Sequence, residues 1–241
     1  MKETIYTIPI NDAFNKDTEC PICEFEREEE KRIIDYTVGA SMMEPEERII
    51  TNEKGFCKRH HTMIINTPNK LSGALINETH IEEMLSKLND FKKALDEDMK
   101  KRFKKNTASV VKEAAKKLET VNNSCAVCDK LENTMTHFCE NILYLVKNDE
   151  EFNKKFFSSK GFCIKHLTQL LSLAPNEFSK SNELSDFCNK LLKLETENVS
   201  RVLSDVKWFV KKYDYRYKDK DWKNSKDAVE RSTSKIVSYT E

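Results

Sequence analysis

Lys160-Gly161-Phe162-Cys163-Ile164-Lys165-His166 is the stretch on which the fold turns, because the chain carries it twice. The earlier copy is Lys54-Gly55-Phe56-Cys57-Lys58-Arg59-His60, and a Thr follows two positions after each His (Thr62, Thr168). A thiol pair lies upstream of each: Cys20-Pro21-Ile22-Cys23 before the first, Cys125-Ala126-Val127-Cys128 before the second. From Cys20 to Cys57 is 37 positions and from Cys125 to Cys163 is 38. Pro68-Asn69 and Pro175-Asn176 close the two copies. The pattern is an internal duplication.

Three thiols and one imidazole are the ligand set of a closed tetrahedral zinc site. Cys-x2-Cys presents two sulfurs to one point, and Cys-x2-His in the first turn of a helix puts both ligands on one face. A helix N-terminus favours the thiolate that binds metal. The Gly permits the sharp turn into that helix, and Phe56 or Phe162 can shield the sulfurs from water. Taken within each copy, the expected sites are Cys20, Cys23, Cys57 and His60, then Cys125, Cys128, Cys163 and His166. That means two Zn per chain; iron fits the same ligands. The gaps between ligand pairs, 33 and 34 residues, are far longer than the dozen or so of a DNA-reading finger. They hold whole helices, so the metal acts as a staple across a bundle. Core burial of the cysteines is the plain alternative, and it leaves the matched spacings unexplained. A thioredoxin-like dithiol would need a βαβ setting. Covalent haem would need a His after the second Cys, where Glu24 and Asp129 stand.

The rest of the chain supports an all-α, internally duplicated helical bundle. Four Gly and five Pro in 241 residues leave few turns. Ile81, Met84, Leu88, Phe91 and Leu95 repeat at three and four, as do Cys128, Leu131, Met135, Phe138, Ile142 and Leu145. A third stripe carries Leu184, Leu191, Leu194, Val202, Val206 and Phe209. Asp149 can cap a short helix bearing Phe152 and Phe156, and Thr107 another. No stretch alternates with period two long enough for a strand. The expected organisation is a first module over 1–106 with an extended arm at 1–19, a second over 107–213, and an aromatic, charged tail over 214–241 packed on the bundle.

Some residues are expected to be structural or solvated. Cys139 and Cys188 lie beside Phe138 and Phe187 on apolar faces and are expected in the core. His61, His80 and His137 are expected at surface or capping positions. The charge runs Glu26–Lys31 and Lys100–Lys105 are expected to be solvated helix faces. Tyr215, Tyr217 and Trp222 are expected to clamp the tail rather than to cover a pocket.

Lys plus Arg and Asp plus Glu number 41 each. That balance lacks the basic footprint of nucleic-acid binding. No apolar run approaches a signal-peptide core or a membrane span, which predicts a cytoplasmic protein with reduced thiols. There is no Gly-rich phosphate loop, Gly-x-Ser-x-Gly or His-Glu-x2-His, and no catalytic residues are assigned. Four protein ligands close a zinc to substrate.

The twin Cys-Pro-x-Cys … Gly-Phe-Cys-x2-His pattern, with Asp214-Tyr215-Arg216 and Trp222 near the end and Tyr6-Thr7-Ile8-Pro9-Ile10-Asn11 at the start, resembles a bacterial family of uncharacterised proteins. The second pair departs from it, reading Cys-Ala-Val-Cys. The resemblance implies the duplication and the metal ligands; it implies no reaction. The function expected is a zinc-binding interaction or regulatory module with structural sites. A redox or metal sensor using zinc thiolates is the alternative, and an enzyme using a zinc-bound thiolate for alkyl transfer is a third.

Overall fold

The computed structural model describes residues 7–103 and 105–238. Met1 to Tyr6 of the expected arm, Lys104 of the basic run and Tyr239 to Glu241 lie outside them. Among the described residues every regular element is helical. The chain forms α1 (Ile8–Phe14), α2 (Pro21–Thr37), α3 (Pro45–Lys54), α4 (Lys58–Asn66), α5 (Lys70–Lys100) and α6 (Thr107–Asn122). It continues with α7 (Ala126–Asn148), α8 (Glu150–Phe157), α9 (Ile164–Glu177), α10 (Ser181–Lys211) and α11 (Ala228–Val237). Single 3-10 turns occur at Ala40–Met43 and Tyr215–Tyr217.

Two compact units result, and they do not follow sequence order. One comprises Met1–Glu28 with Thr134–Glu241; the other is Glu29–Asn133. The Asn106–Thr107 turn, where the sequence suggested a boundary, lies inside the second unit, between α5 and α6.

The first unit is built on aromatic packing. Phe14 meets Phe152 edge-on at 5.1 Å between centroids and Phe156 at 5.8 Å, and Phe156 meets Phe162 at 5.0 Å. Phe178 and Phe187 stack at 4.6 Å, and Phe25 stacks on Phe138. Ile142, Leu143, Leu170 and Leu191 are fully buried around them. Full burial of such side chains contributes about 1.5–3 kcal/mol each. The expected arm over 1–19 instead holds α1: Pro9 sits in its first turn, where no N–H is needed, and Ile10, Ala13 and Phe14 are buried. Asp149 caps α8 through the Phe152 N–H at 2.9 Å. Helix α9 runs through Pro175 to Glu177 rather than stopping there.

The tail is more structured than its composition suggested. Trp222 lies 5.7 Å from Phe209, Trp208 donates to the Asp221 carbonyl at 3.0 Å, and Tyr217 meets Trp208 edge-on. Buried Lys212 donates to the carbonyls of Tyr217 and Lys218. Tyr215, by contrast, is 86% exposed. Helix α11 then packs on α10 and α9.

In the second unit, Ile33, Ile34, Val38, Ile64 and Ile76 form the core. Arg48 reaches from α3 to the Leu75 carbonyl and the Thr79 hydroxyl of α5. Beyond Ile76, α5 continues with α6 packed against it as a helical hairpin.

Candidate metal centres

Cys57 and Cys163 occupy the same local position. Each is the extended residue just before its helix, so that His60 and His166 fall one turn in, on the same side. Gly55 and Gly161 make this entry possible, at φ +60° and +77°. A Cβ on Gly55 would fall 2.5 Å from His80 Nε2, and one on Gly161 would fall 2.5 Å from Glu195 Oε1. Both positions therefore need glycine for their left-handed conformation, while the side-chain ends of His80 and Glu195 pack against the space a Cβ would take.

The eight ligand-type residues gather into two clusters, but the pairing within each copy is overturned. The first unit brings together Cys20, Cys23, Cys163 and His166; the second brings together Cys57, His60, Cys125 and Cys128. Each Cys-x2-Cys of one copy meets the Cys-x2-His of the other. Helix lengths supply the reason. At 1.5 Å per residue, the 17 residues of α2 are about 25 Å long and the ten of α3 only about 15 Å, lengths that do not match. The second copy is more lopsided, since α7 has 23 residues and α8 has eight.

In the first cluster, the sulfurs of Cys20, Cys23 and Cys163 lie 3.4, 3.4 and 3.2 Å from His166 Nδ1, and Cys23 and Cys163 are 3.6 Å apart. In the second, Cys57, Cys125 and Cys128 lie 3.3, 3.1 and 3.4 Å from His60 Nδ1, and Cys57 and Cys128 are 3.9 Å apart. A neutral imidazole nitrogen offers one lone pair, so it cannot accept from three thiols at once. A tetrahedral ion with sulfur at about 2.3 Å and nitrogen at about 2.0 Å needs sulfurs about 3.8 Å apart and nitrogen about 3.5 Å from each. Both clusters come close to those spacings.

The histidines are oriented from behind by glutamates on α2. Glu30 Oε1 lies 3.0 Å from His60 Nε2, and the carboxylate also takes Arg59 Nε and a terminal guanidinium nitrogen at 2.9 and 2.7 Å. Glu26 Oε2 lies 3.3 Å from His166 Nε2. That contact is misaligned, so neither atom has a hydrogen-bond partner there, while Glu26 Oε1 takes Lys165. A carboxylate at Nε2 keeps the proton there and turns the Nδ1 lone pair toward the sulfurs, the tautomer that a metal ligand requires.

The electrostatics of both sites also call for a cation. Burial and hydrogen bonds with Cys163 and Cys23 push the Cys20 thiol well up. Cys163 is pulled far down, first by hydrogen bonds from Cys20 and Cys23. Burial and Cys125 likewise raise Cys128, while Cys125 is lowered by His60 against its own burial. Burial also opposes charge on the two histidines, yet hydrogen bonds with Cys125 and Glu30 raise His60 to about 9, and Cys163 with Cys23 raises His166 to about 11. Three sulfurs at this spacing cannot all ionise without mutual repulsion; a divalent ion at their centre removes the conflict.

The two centres differ in cover. All four ligands of the first are buried. Ser238 Oγ lies 3.1 Å from Cys23 Sγ. Lys235, on α11, donates to the carbonyls of Glu19 and Lys160 at 2.8 and 2.5 Å. Glu195 accepts from the Phe162 N–H, and burial raises its carboxyl to about 7 against the pull of Lys235. In the second centre His60 and Cys125 are buried, Cys57 is half-buried and Cys128 is exposed. Ala126 N–H donates to the Gly55 carbonyl at 3.0 Å and Ser124 Oγ to that of Lys54 at 2.7 Å.

The remaining cysteines and histidines stand apart from both clusters. Cys139 is buried and Cys188 half-buried. His61 meets Phe56 edge-on, His80 contacts the Asn52 carbonyl at 2.7 Å, and His137 pairs with Glu140 on the surface. The expectation that Glu26–Lys31 is a solvated face is wrong for three of its four glutamates: Glu26, Glu29 and Glu30 are buried, while Glu28 is exposed. A signal was present, since Cys23, Glu26, Glu30 and Ile33 continue one three-four stripe from thiol to core. For Lys235 and Ser238 no comparable signal stood out.

Among the described residues, no helix is long and apolar enough to cross a membrane. No curated protein and no solved structure matches the chain. A family model described as "Family of unknown function (DUF6062)" matches residues 1–241. An all-helical, internally duplicated chain with two Cys/His clusters, it belongs to that family.

Proposed function

We propose that each cluster holds one zinc ion and that the protein is a metal-stapled helical interaction module of the cytoplasm. The observation that carries this reading is the convergence of three sulfurs on one imidazole Nδ1, twice, at the spacings of a tetrahedral ion. A structural zinc supplies about 10 kcal/mol or more of apparent binding free energy, comparable to the whole stability of a domain. Four protein ligands leave no position for substrate, so the ion serves the fold. Its ligands come from both copies of the duplication, so each staple joins one copy to the other. Equal numbers of acidic and basic residues point the module toward proteins rather than nucleic acid.

Elemental analysis of the purified protein tests this. Two zinc ions per chain are expected, with loss of helicity or a lower melting temperature after chelation. A well-folded chain with neither zinc nor iron overturns it.

One observation favours a second role at one site. Cys128 is exposed where the sulfurs of the other centre are buried, so an oxidant or alkylating agent can reach the second centre. Release of metal by oxidation there would make it the sensing site.

A further inference from the structure

We propose that the α5–α6 hairpin is a self-association arm, which docks on the same hairpin of a second copy of this chain to complete an antiparallel four-helix bundle. Helix α5 has 31 residues, yet only Ser72, Gly73, Ile76 and Asp98 are buried. Between the last two it presents Ile81, Met84, Leu85 and Leu88, at the three-four spacing of a buried face, each 39 to 54% exposed. On α6, Val111 and Leu118 are 45 and 40% exposed. Two helices alone cannot cover such a stripe, and helix pairs of this kind close by adding further helices.

The hairpin is nevertheless held in a fixed shape. Asp98 accepts from the Asn106 N–H at 3.0 Å and from the Thr107 hydroxyl at 2.7 Å, which locks the turn. At the other end, the chain leaving α6 is tied to the chain entering the second metal centre by the Ala126–Gly55 and Ser124–Lys54 bonds. The arm is thus tied at both ends, carries an exposed apolar stripe along α5, and is anchored beside that centre.

Charge selects a second copy as the occupant. The base of the arm carries exposed Glu78 and Glu82; its tip carries exposed Lys100, Arg102 and Lys105. A two-fold axis across the arm sets the basic tip of one copy over the acidic base of the other, as a self-complementary interface requires. Residues 81–99 span about 27 Å along two helices some 20 Å wide together, a flat footprint of about 500 Å². Corrugated packing brings this toward the roughly 800 Å² per partner of a stable complex.

Sedimentation velocity and light scattering on the full, metal-loaded chain across the micromolar range test this. A particle of twice the 28.2 kDa chain mass is expected. Leu85→Glu with Leu88→Glu should weaken association at least 100-fold while leaving metal content and helicity unchanged. Reversal at the base alone, Glu78→Lys with Glu82→Lys, should also weaken it. Adding Lys100→Glu and Arg102→Glu to that variant should restore the dimer, a result that loss of folding cannot imitate. A wild-type chain that stays monomeric overturns the proposal, including the case in which another protein occupies the face. So does a dimer indifferent to these substitutions.

Discussion

Replacing Glu30 isolates what the carboxylate behind a ligand histidine contributes. Glu30 sits 3.0 Å from His60 Nε2 and is 5% exposed, with His60 at 3%. A hydrogen bond to a charged group contributes about 1.5–3 kcal/mol, which is about 10- to 150-fold in an equilibrium constant. Glu30→Ala removes the whole of it. Glu30→Gln keeps a carbonyl acceptor and loses only the charge assistance, about half the bond, or about 4- to 12-fold. Arg59 also loses its contact with Glu30, but at 41% exposure water replaces most of that interaction. Zinc competition against a chromophoric chelator resolves the two sites. The expected result is one weakened site, more in the Ala variant than in the Gln, with the other site unchanged. Affinities within twofold of wild type at both sites would refute the reasoning, and so would equal weakening of both.

Other expectations follow from the unequal cover of the two centres and from the hairpin turn. Limited alkylation read by mass spectrometry should label Cys128 well before Cys20, Cys23 or Cys163, and mild peroxide should release one zinc per chain ahead of the other; equal rates at both sites would contradict the difference in burial. Asp98 is held at about 2, below its usual 3.8, first by the Asn106 N–H and then by Thr107. Its contribution is therefore complete above about pH 4 and is lost as pH falls through about 2. Asp98→Ala should lower amide protection in α5 and α6 at neutral pH without reducing metal content, as hydrogen exchange can show; unchanged protection would mean that the turn is not held by this side chain.

The helical framework was legible because helix punctuation is local. Gly39, Pro45, Pro68 and Asp149 mark helix ends through their own backbone constraints and caps, and the structure places ends beside each. The ligand types were legible for the same reason. Which pairs meet was not, because both copies offer identical ligand pairs at nearly identical spacing, and only the tertiary path of the chain tells a partner within a copy from one across copies. Glu26 and Glu30 were misread because charge alone predicts exposure, whereas a carboxylate aimed at a ligand histidine can be buried. Helix α11 was obscured by its sequence: Ala228 and Lys235 are buried while Val229, Ile236 and Val237 are exposed, so polarity and burial part company there.

The exchange of ligand pairs between copies is tested most directly by counting zinc in two double variants. Cys23→Ser with Cys163→Ser removes two ligands from one proposed centre, and Cys23→Ser with Cys57→Ser removes one from each. Elemental analysis should find about one zinc per chain retained in the first and neither site filled to wild-type level in the second. The reverse outcome, the first variant losing both ions and the second keeping one, would show that each copy binds its own metal and would contradict the account.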